Sequence, residues 1–454
     1  MSKKVPFNPQ RPWAVTVLLN TILLPFNLYI KFQESSGYSL LAATAVAILL
    51  ANSAWGHSFL AFWQSPVALS FQGFHAETHL LHIINDGLMT FFFIEVGLEI
   101  KREISEGELS STRKALLPAI AALGGMLVPA LIFVLCNFNS DTKQGWGIPT
   151  ATDIAFSLTI ISLLGNKIPV GLKIFLAALA IVDDLGAIVL IALFYSTDIQ
   201  WFALGTGLGV FALLMTLNVA RIDNMLPYYL LGIFLWICFL KSGIHPTIAG
   251  VLFAIAIPHR RKQTFEPKVA RALVALEKHL NVLQSDRCRK DKMFRDQVLE
   301  EMQEVSRKIE SPLQNLLHTL HPLSGYLIMP LFALANAGVV FGEVSADMLF
   351  NPLALGIILG LTLGKSLGIM LASWLAVKTN LAKLPENVDF MKIYGMAWLA
   401  GIGFTMSIFI ANLALQPGDM LLAKVAILGA SAFSGLMGYL ILNASFQKEK
   451  VAAN

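Results

Sequence analysis

The chain has 454 residues, 56% of them hydrophobic and only 14% charged, with a formal net charge of +4 at pH 7. Soluble domains carry about 25% charged residues, so the composition excludes a soluble globular protein, and no nucleic-acid module is present in the sequence. Cys136 and Cys238 fall at or in apolar runs and Cys288 in a polar one, so no disulfide framework is expected.

The first element, residues 14–30, contains Asn20, Pro25 and Asn27 and ends shortly before the next apolar run. It is predicted to lie on the membrane surface as an interfacial helix, because a span here would export Lys3, Lys4 and Arg11. Twelve apolar runs of spanning or near-spanning length follow, at 37–54, 80–100, 115–136, 148–164, 171–195, 202–219, 226–241, 243–257, 314–340, 352–377, 393–413 and 421–443. With twelve spans the basic loops share one side, including Lys101, Arg102, Arg113, Lys114, Lys167, Lys173, Arg221, Lys378, Lys383 and Lys392. The positive-inside rule makes that side cytoplasmic and places both termini there. The predicted class is therefore an all-α polytopic membrane protein. It comprises a cytoplasmic N-terminus (1–35), spans 1–8 (36–257), a charged loop (258–311), spans 9–12 (312–443) and a cytoplasmic tail (444–454). No removable signal peptide is expected. The loop holds thirteen Lys or Arg and nine Asp or Glu, with Val269, Leu273, Leu276, Leu280 and Leu283 at helical spacing. It reads as a solvated amphipathic hairpin near anionic headgroups.

Charges inside the apolar runs carry the functional signal. Asp86, Glu95 and Glu99 fall in the second run, Asp153 in the fourth, Asp183 and Asp184 in the fifth and Lys365 in the tenth. A carboxylate at mid-bilayer costs about 2.5–3.5 kcal/mol on insertion scales, so the Asp183–Asp184 doublet marks a site for an ion or a proton. Lys365 needs a carboxylate partner to stay charged in low dielectric. Neighbouring helical residues point about 100° apart, so one aspartate can pair with Lys365 while the other faces a water-filled cavity.

The fourth run, GWGIPTATDIAFSL, carries Gly147, Pro149 and Thr150 ahead of Asp153, and the eleventh, GMAWLAGIGFTMSIF, carries Gly401 and Gly403. Both are predicted to break, which is tolerated at membrane depth only inside protein or beside a cavity. Runs 3–5 and 10–12 then form two three-helix units of opposite orientation, the inverted-repeat pattern of secondary transporters. Broken helices expose partial charges at their ends, positive at N-termini and negative at C-termini; Asp153 can offset the former and Lys365 the latter.

The segments PTATDIAFSL, LKIFLAALAIVDDLGAIVLIALFY, LKSGIHPTIAGV, LIMPLFALANAGV, GKSLGI and GIGFTMSIFIA, in this order, closely resemble the bacterial NhaA family of sodium/proton antiporters. The resemblance covers about 36–257 and 312–443. It implies that spans 4 and 11 cross as broken helices, that Asp184 is the main carboxylate for Na+ or Li+, and that Asp183 is its neighbour, exchanging partners with Lys365. Thr152 and Asp153 match positions beside that site. It further implies electrogenic exchange of Na+ for H+, a bacterial inner-membrane location in contact with lipid, a homodimer, and no cofactor beyond the transported ions. Hard alkali cations prefer oxygen ligands, and a carboxylate binds a proton as well, so cation and proton compete for one group.

Glu99 and Glu103 match the family's pH-sensing positions, as do His318 and His321; His245 matches a position linked with pH response. Leu317 departs from the pattern, which has a Glu there, and Glu95, one turn from Glu99, is the candidate substitute. His75, His79 and His82 have metal-ligand spacing on a helix, but a solvated loop is expected there. Two other functional classes compete. An intramembrane aspartyl protease places its aspartates on two helices in YD and GxGD motifs, both absent here, and a sodium-coupled solute symporter of related fold needs an additional cavity.

Overall fold

The structure, a computed structural model, describes residues 36–71, 74–165, 168–196, 198–222, 224–259, 311–343, 345–385 and 388–452. The helix expected at 14–30, nearly all of the charged loop and Cys288 lie outside the described residues.

In sequence order the chain forms α1 (Ser36–Ala51) and α2 (Gly56–Trp63), then a hairpin of β1 (Pro66–Phe71) and β2 (Phe74–His79). Next come α3 (Met89–Ser105), α4 (Thr112–Cys136), a 3-10 segment (Asp141–Thr150), α5 (Ile154–Leu163), α6 (Val170–Phe194), α7 (Trp201–Val219), α8 (Met225–Ser242) and α9 (Thr247–Ala256). After the charged loop follow α10 (Pro312–Leu323), α11 (Met329–Asn336), α12 (Pro352–Leu359), α13 (Lys365–Lys378), α14 (Phe390–Ala400), α15 (Phe404–Ala414) and α16 (Met420–Ala452).

Six helical stretches are long and apolar enough to cross a bilayer: Ala115–Cys136 in α4, α6, α7, α8, Pro352–Lys378 through α12 and α13, and Pro417–Gln447 through most of α16. Three bent pairs, α1 with α2, the 3-10 segment with α5, and α14 with α15, bring the number to at most nine among the described residues, counting each pair as one span. The runs 80–100, 243–257 and 314–340 are also helical but lack one regular helix of spanning length. The first and third are interrupted by π-helical turns at Ile83–Leu88 and Ser324–Ile328, and α9 has ten residues. The molecule is a multi-pass, almost wholly helical membrane protein.

The helical class expected from the sequence holds, and the one departure among the described residues is a short hairpin where a solvated loop was expected. β1 and β2 pair antiparallel from Pro66↔His79 to Phe71↔Phe74, so His75 and His79 sit on a strand and do not line up on a helix with His82. Paired strands satisfy each other's backbone groups, which an unstructured connection would leave to solvent.

The described helices divide into two compact units. The first draws on Met1–Asn85, Ser111–Leu190 and Gly325–Asn454. Its centre is α6, where Leu172, Phe175, Leu176, Leu179 and Ala180 are buried. Apolar burial alone does little to join helices in lipid, so small residues that allow close backbone approach matter. Gly124 of α4 meets Gly368 of α13 in this way: a Cβ on Gly124 would lie 2.3 Å from Gly368 O, and one on Gly368 2.2 Å from Gly124 O.

The second unit comprises Asp86–Ser110 and Ile191–Ser324. Leu98 of α3, Leu214 of α7, Tyr228, Leu235 and Phe239 of α8, Ala254 of α9 and Leu313 of α10 form its core. Gly243 ends α8 in the left-handed region at φ 80°, where glycine carries no Cβ penalty, and this turn leads into His245 and α9.

Candidate functional site

The two breaks lie in the first unit, and each supplies what the other lacks. Pro149 closes the 3-10 segment, and Ala151 and Asp153 are extended before α5 begins; the bend there is 44°. Gly401, Ile402 and Gly403 separate α14 from α15, with a bend of 46°. A Cβ on Gly401 would lie 2.3 Å from Leu361 O, and one on Gly360 2.6 Å from Pro149 Cβ. The π-helical turn Gly360–Gly364, which leads into Lys365, is thus packed against both breaks.

Backbone groups freed by the breaks cannot turn to water at membrane depth, and they find partners across the crossing. The Asp153 N–H donates to Ile402 O at 2.6 Å. The Ser157 hydroxyl lies 2.9 Å from Leu399 O, and the Ser407 hydroxyl donates to Ile148 O at 2.8 Å. The Thr152 hydroxyl is 2.9 Å from Ala400 O and 2.7 Å from Asp183 Oδ2, so its single proton serves one of them at a time.

Charge is matched to the exposed helix ends. Asp153 caps two N-termini: its Oδ1 accepts from the Phe156 N–H of α5 at 3.0 Å, and its Oδ2 accepts from the Thr405 N–H of α15 at 3.2 Å and from the Thr405 hydroxyl. Lys365 faces a C-terminus, donating through Nζ to the carbonyl of Thr150. The same ammonium lies 2.7 Å from Asp183 Oδ2, with both side chains buried. Asp184, 7% exposed, also acts electrostatically on Lys365. Asp183 Oδ1 is buried without a hydrogen-bond partner.

The first unit thus brings together Asp153, Thr152, Asp183, Asp184 and Lys365. Thr405, Ser157 and Ser407 belong to the same constellation and were not singled out from sequence. A signal was available in the run FTMS directly after Gly403, since hydroxyls beside a break are natural donors to freed carbonyls. Carboxylate oxygens and the Thr152 hydroxyl beside Asp183 suit a hard cation once the Lys365 ammonium, 2.7 Å away, gives up its place, and the same carboxylates accept protons.

The second unit holds the candidate pH-sensing residues. His321 Nδ1 lies 2.5 Å from Glu95 Oε1 and 3.6 Å from Glu99 Oε1. Glu103 instead pairs with Arg102 at 3.1 Å, and His318 is exposed. His245 Nδ1 is 2.8 Å from Thr247 Oγ1, and its Nε2 is 3.5 Å from Asp86 Oδ1. Leu317 is buried in the unit's apolar core, so the carboxylate beside His321 comes from α3, through Glu95, and not from α10.

The family model described as Na+/H+ antiporter 1 matches residues 27–442. Among relatives, the Na+/H+ antiporter NhaA of Oleidesulfovibrio alaskensis is 47% identical over 434 residues, covering 95% of this chain and 96% of that protein. Those of Syntrophobacter fumaroxidans and Yersinia pseudotuberculosis are 43% and 42% identical, covering 94% of this chain in each case and 91% and 98% of the relatives. All three bear the name of a transporter, not of an enzyme. With the match running across both broken helices and the buried aspartates, the chain belongs to the Na+/H+ antiporter 1 family.

Proposed function

We propose that this Na+/H+ antiporter exports Na+ or Li+ in exchange for H+ uptake, with cation and proton competing for Asp184. Asp183 is the neighbouring ligand and exchanges its Lys365 partner during the cycle. Carboxylates presented alternately to the two sides, loaded with either Na+ or H+ and rarely with neither, couple the two fluxes without a covalent step. Electrogenic exchange of more than one proton per cation needs a second titrating group, and Asp183 and Lys365 are the two candidates, titrating with Asp184 as one coupled cluster. We place the protein in the bacterial inner membrane as a twelve-span protein with inverted repeats and both termini cytoplasmic, acting as a homodimer. Control by pH is assigned to His321 with Glu95 and Glu99, with Arg102 and Glu103 beside them, and to His245 with Asp86.

The observation that carries the proposal is the buried Asp183–Lys365 pair, 2.7 Å apart, at the crossing of two broken helices. The test is Asp184→Asn in inside-out vesicles energised to an acid interior: loss of Na+-induced and Li+-induced proton release is expected, and undiminished release would refute the assignment. A solute symporter would instead show uptake of an organic solute driven by Na+.

A further inference from the structure

Away from the aspartate site, the second unit contains a compact group of two carboxylates and an imidazole. Glu95 and Glu99 stand one helical turn apart on α3 and so share a face, and His321 reaches them from α10. One ligand atom from each residue lies within 4.8 Å of the other two. The two carboxylates are almost wholly buried, and the imidazole is 12% exposed, which leaves one edge open to solvent.

The charge around this group favours a cation. Two carboxylates face one imidazole, and Arg102, 3.1 Å from a third carboxylate, Glu103, also acts on His321, so three carboxylates stand against one guanidinium. Lys101 does not serve the group: its Nζ donates to Ile255 O at 2.5 Å and to Ile257 O, at the end of α9. Glu95 Oε2 is buried and has no hydrogen-bond partner. A buried carboxylate oxygen that no donor satisfies favours a proton or a cation beside it.

The donor set says which cation. Na+ and Li+ prefer oxygen alone, whereas one imidazole nitrogen with two carboxylate oxygens suits a borderline divalent transition metal. Bonds of about 2.0–2.2 Å in a tetrahedral site separate ligand atoms by roughly 3.3 Å. His321 Nδ1 and Glu99 Oε1 stand 3.6 Å apart, close to that separation. His321 Nδ1 and Glu95 Oε1, at 2.5 Å, need to open by about 0.8 Å to reach it, a side-chain rotation.

We propose that Glu95, Glu99 and His321 form a binding site for a divalent transition-metal cation of the Zn2+ class, joining α3 to α10. Water fills the fourth position. The site is separate from the Asp183–Asp184 cluster in ligand chemistry and in location along the chain, so Asp184→Asn leaves it intact.

The test uses full-length protein in detergent micelles, freed of metal by a chelator and titrated calorimetrically with ZnCl2. One saturable Zn2+ per chain is expected, with a rise in melting temperature. Glu95→Gln, Glu99→Gln and His321→Gln should each weaken binding more than roughly tenfold, since even an outer-shell partner costs that much. His57→Gln, a change at a histidine outside the group, should leave binding unchanged. Co2+ provides a readout that does not depend on affinity, through a visible d–d band in the parent protein that His321→Gln abolishes. Melting of each metal-free variant confirms that it is folded. Absence of saturable Zn2+ binding to the parent, or equal affinity in folded Glu95→Gln and His321→Gln proteins, would overturn the proposal.

Discussion

Replacing Lys365 by Met keeps the length and most of the volume of a fully buried side chain and removes its charge. Two interactions disappear: the ion pair with Asp183 Oδ2 at 2.7 Å and the hydrogen bond to the Thr150 carbonyl. Removing one partner of a buried pair costs about 3–5 kcal/mol. Asp183 relieves part of this by taking up a proton, because a neutral carboxyl is far cheaper to bury than a bare charge, so the lower end, about 3 kcal/mol, applies. The orphaned carbonyl of Thr150 adds about 1 kcal/mol. The total of roughly 4 kcal/mol corresponds to a fall of about 4 °C in melting temperature for a chain of this length, measured by thermal unfolding in detergent. Asp183→Asn added to Lys365→Met removes the uncompensated carboxylate and should recover about 2 kcal/mol. The double variant is thus expected to melt above Lys365→Met alone. A Lys365→Met protein melting within about 2 °C of the parent, or a double variant that loses the sum of both single losses, would refute the reasoning.

Thr405→Val preserves shape but removes the hydroxyl bonded to Asp153 Oδ2; a loss of about 1.5–3 kcal/mol is expected for a bond to a charged group, visible as a lower melting temperature and weaker apparent Na+ affinity. Gly124→Ala forces apart two backbones that allow a Cβ only 2.3 Å from Gly368 O. It should cost about 1–3 kcal/mol by overpacking, and an unchanged melting temperature would contradict the α4–α13 packing. Deleting 262–308 should spare exchange measured in vesicles, because the segment lies outside the runs that carry the buried charges.

The buried charges were legible in the sequence because a carboxylate or ammonium in an apolar run is too costly to persist at membrane depth without a function. Asp153, Asp183, Asp184 and Lys365 stand out against their neighbours, and all four are buried in the folded chain. The breaks were legible for a similar reason, since Pro149, Gly401 and Gly403 are poor helix residues at positions that need hydrophobic continuity. The hydroxyls were not. Thr405, Ser157 and Ser407 are ordinary residues of membrane helices, and their value depends on which carbonyl of the other break they reach. The π-helical turns at 83–88, 324–328 and 360–364 leave no composition signal, because one extra residue in a turn changes register and not residue type. The hairpin at 66–79 was hidden by its brevity. Glu95 was visible as a candidate stand-in for the carboxylate absent at Leu317, but its partner His321 lies 226 residues away, and only folding decides whether such residues meet.

Competition between Na+ and H+ for Asp184 has a direct readout in purified protein held in a weak buffer, with the pH followed as NaCl is added. The parent protein is expected to release protons saturably with Na+ and with Li+ but not with K+, and Asp184→Asn is expected to release none. Equal proton release from the Asp184→Asn protein, or none from a folded and transport-competent parent, would contradict the shared-carboxylate mechanism.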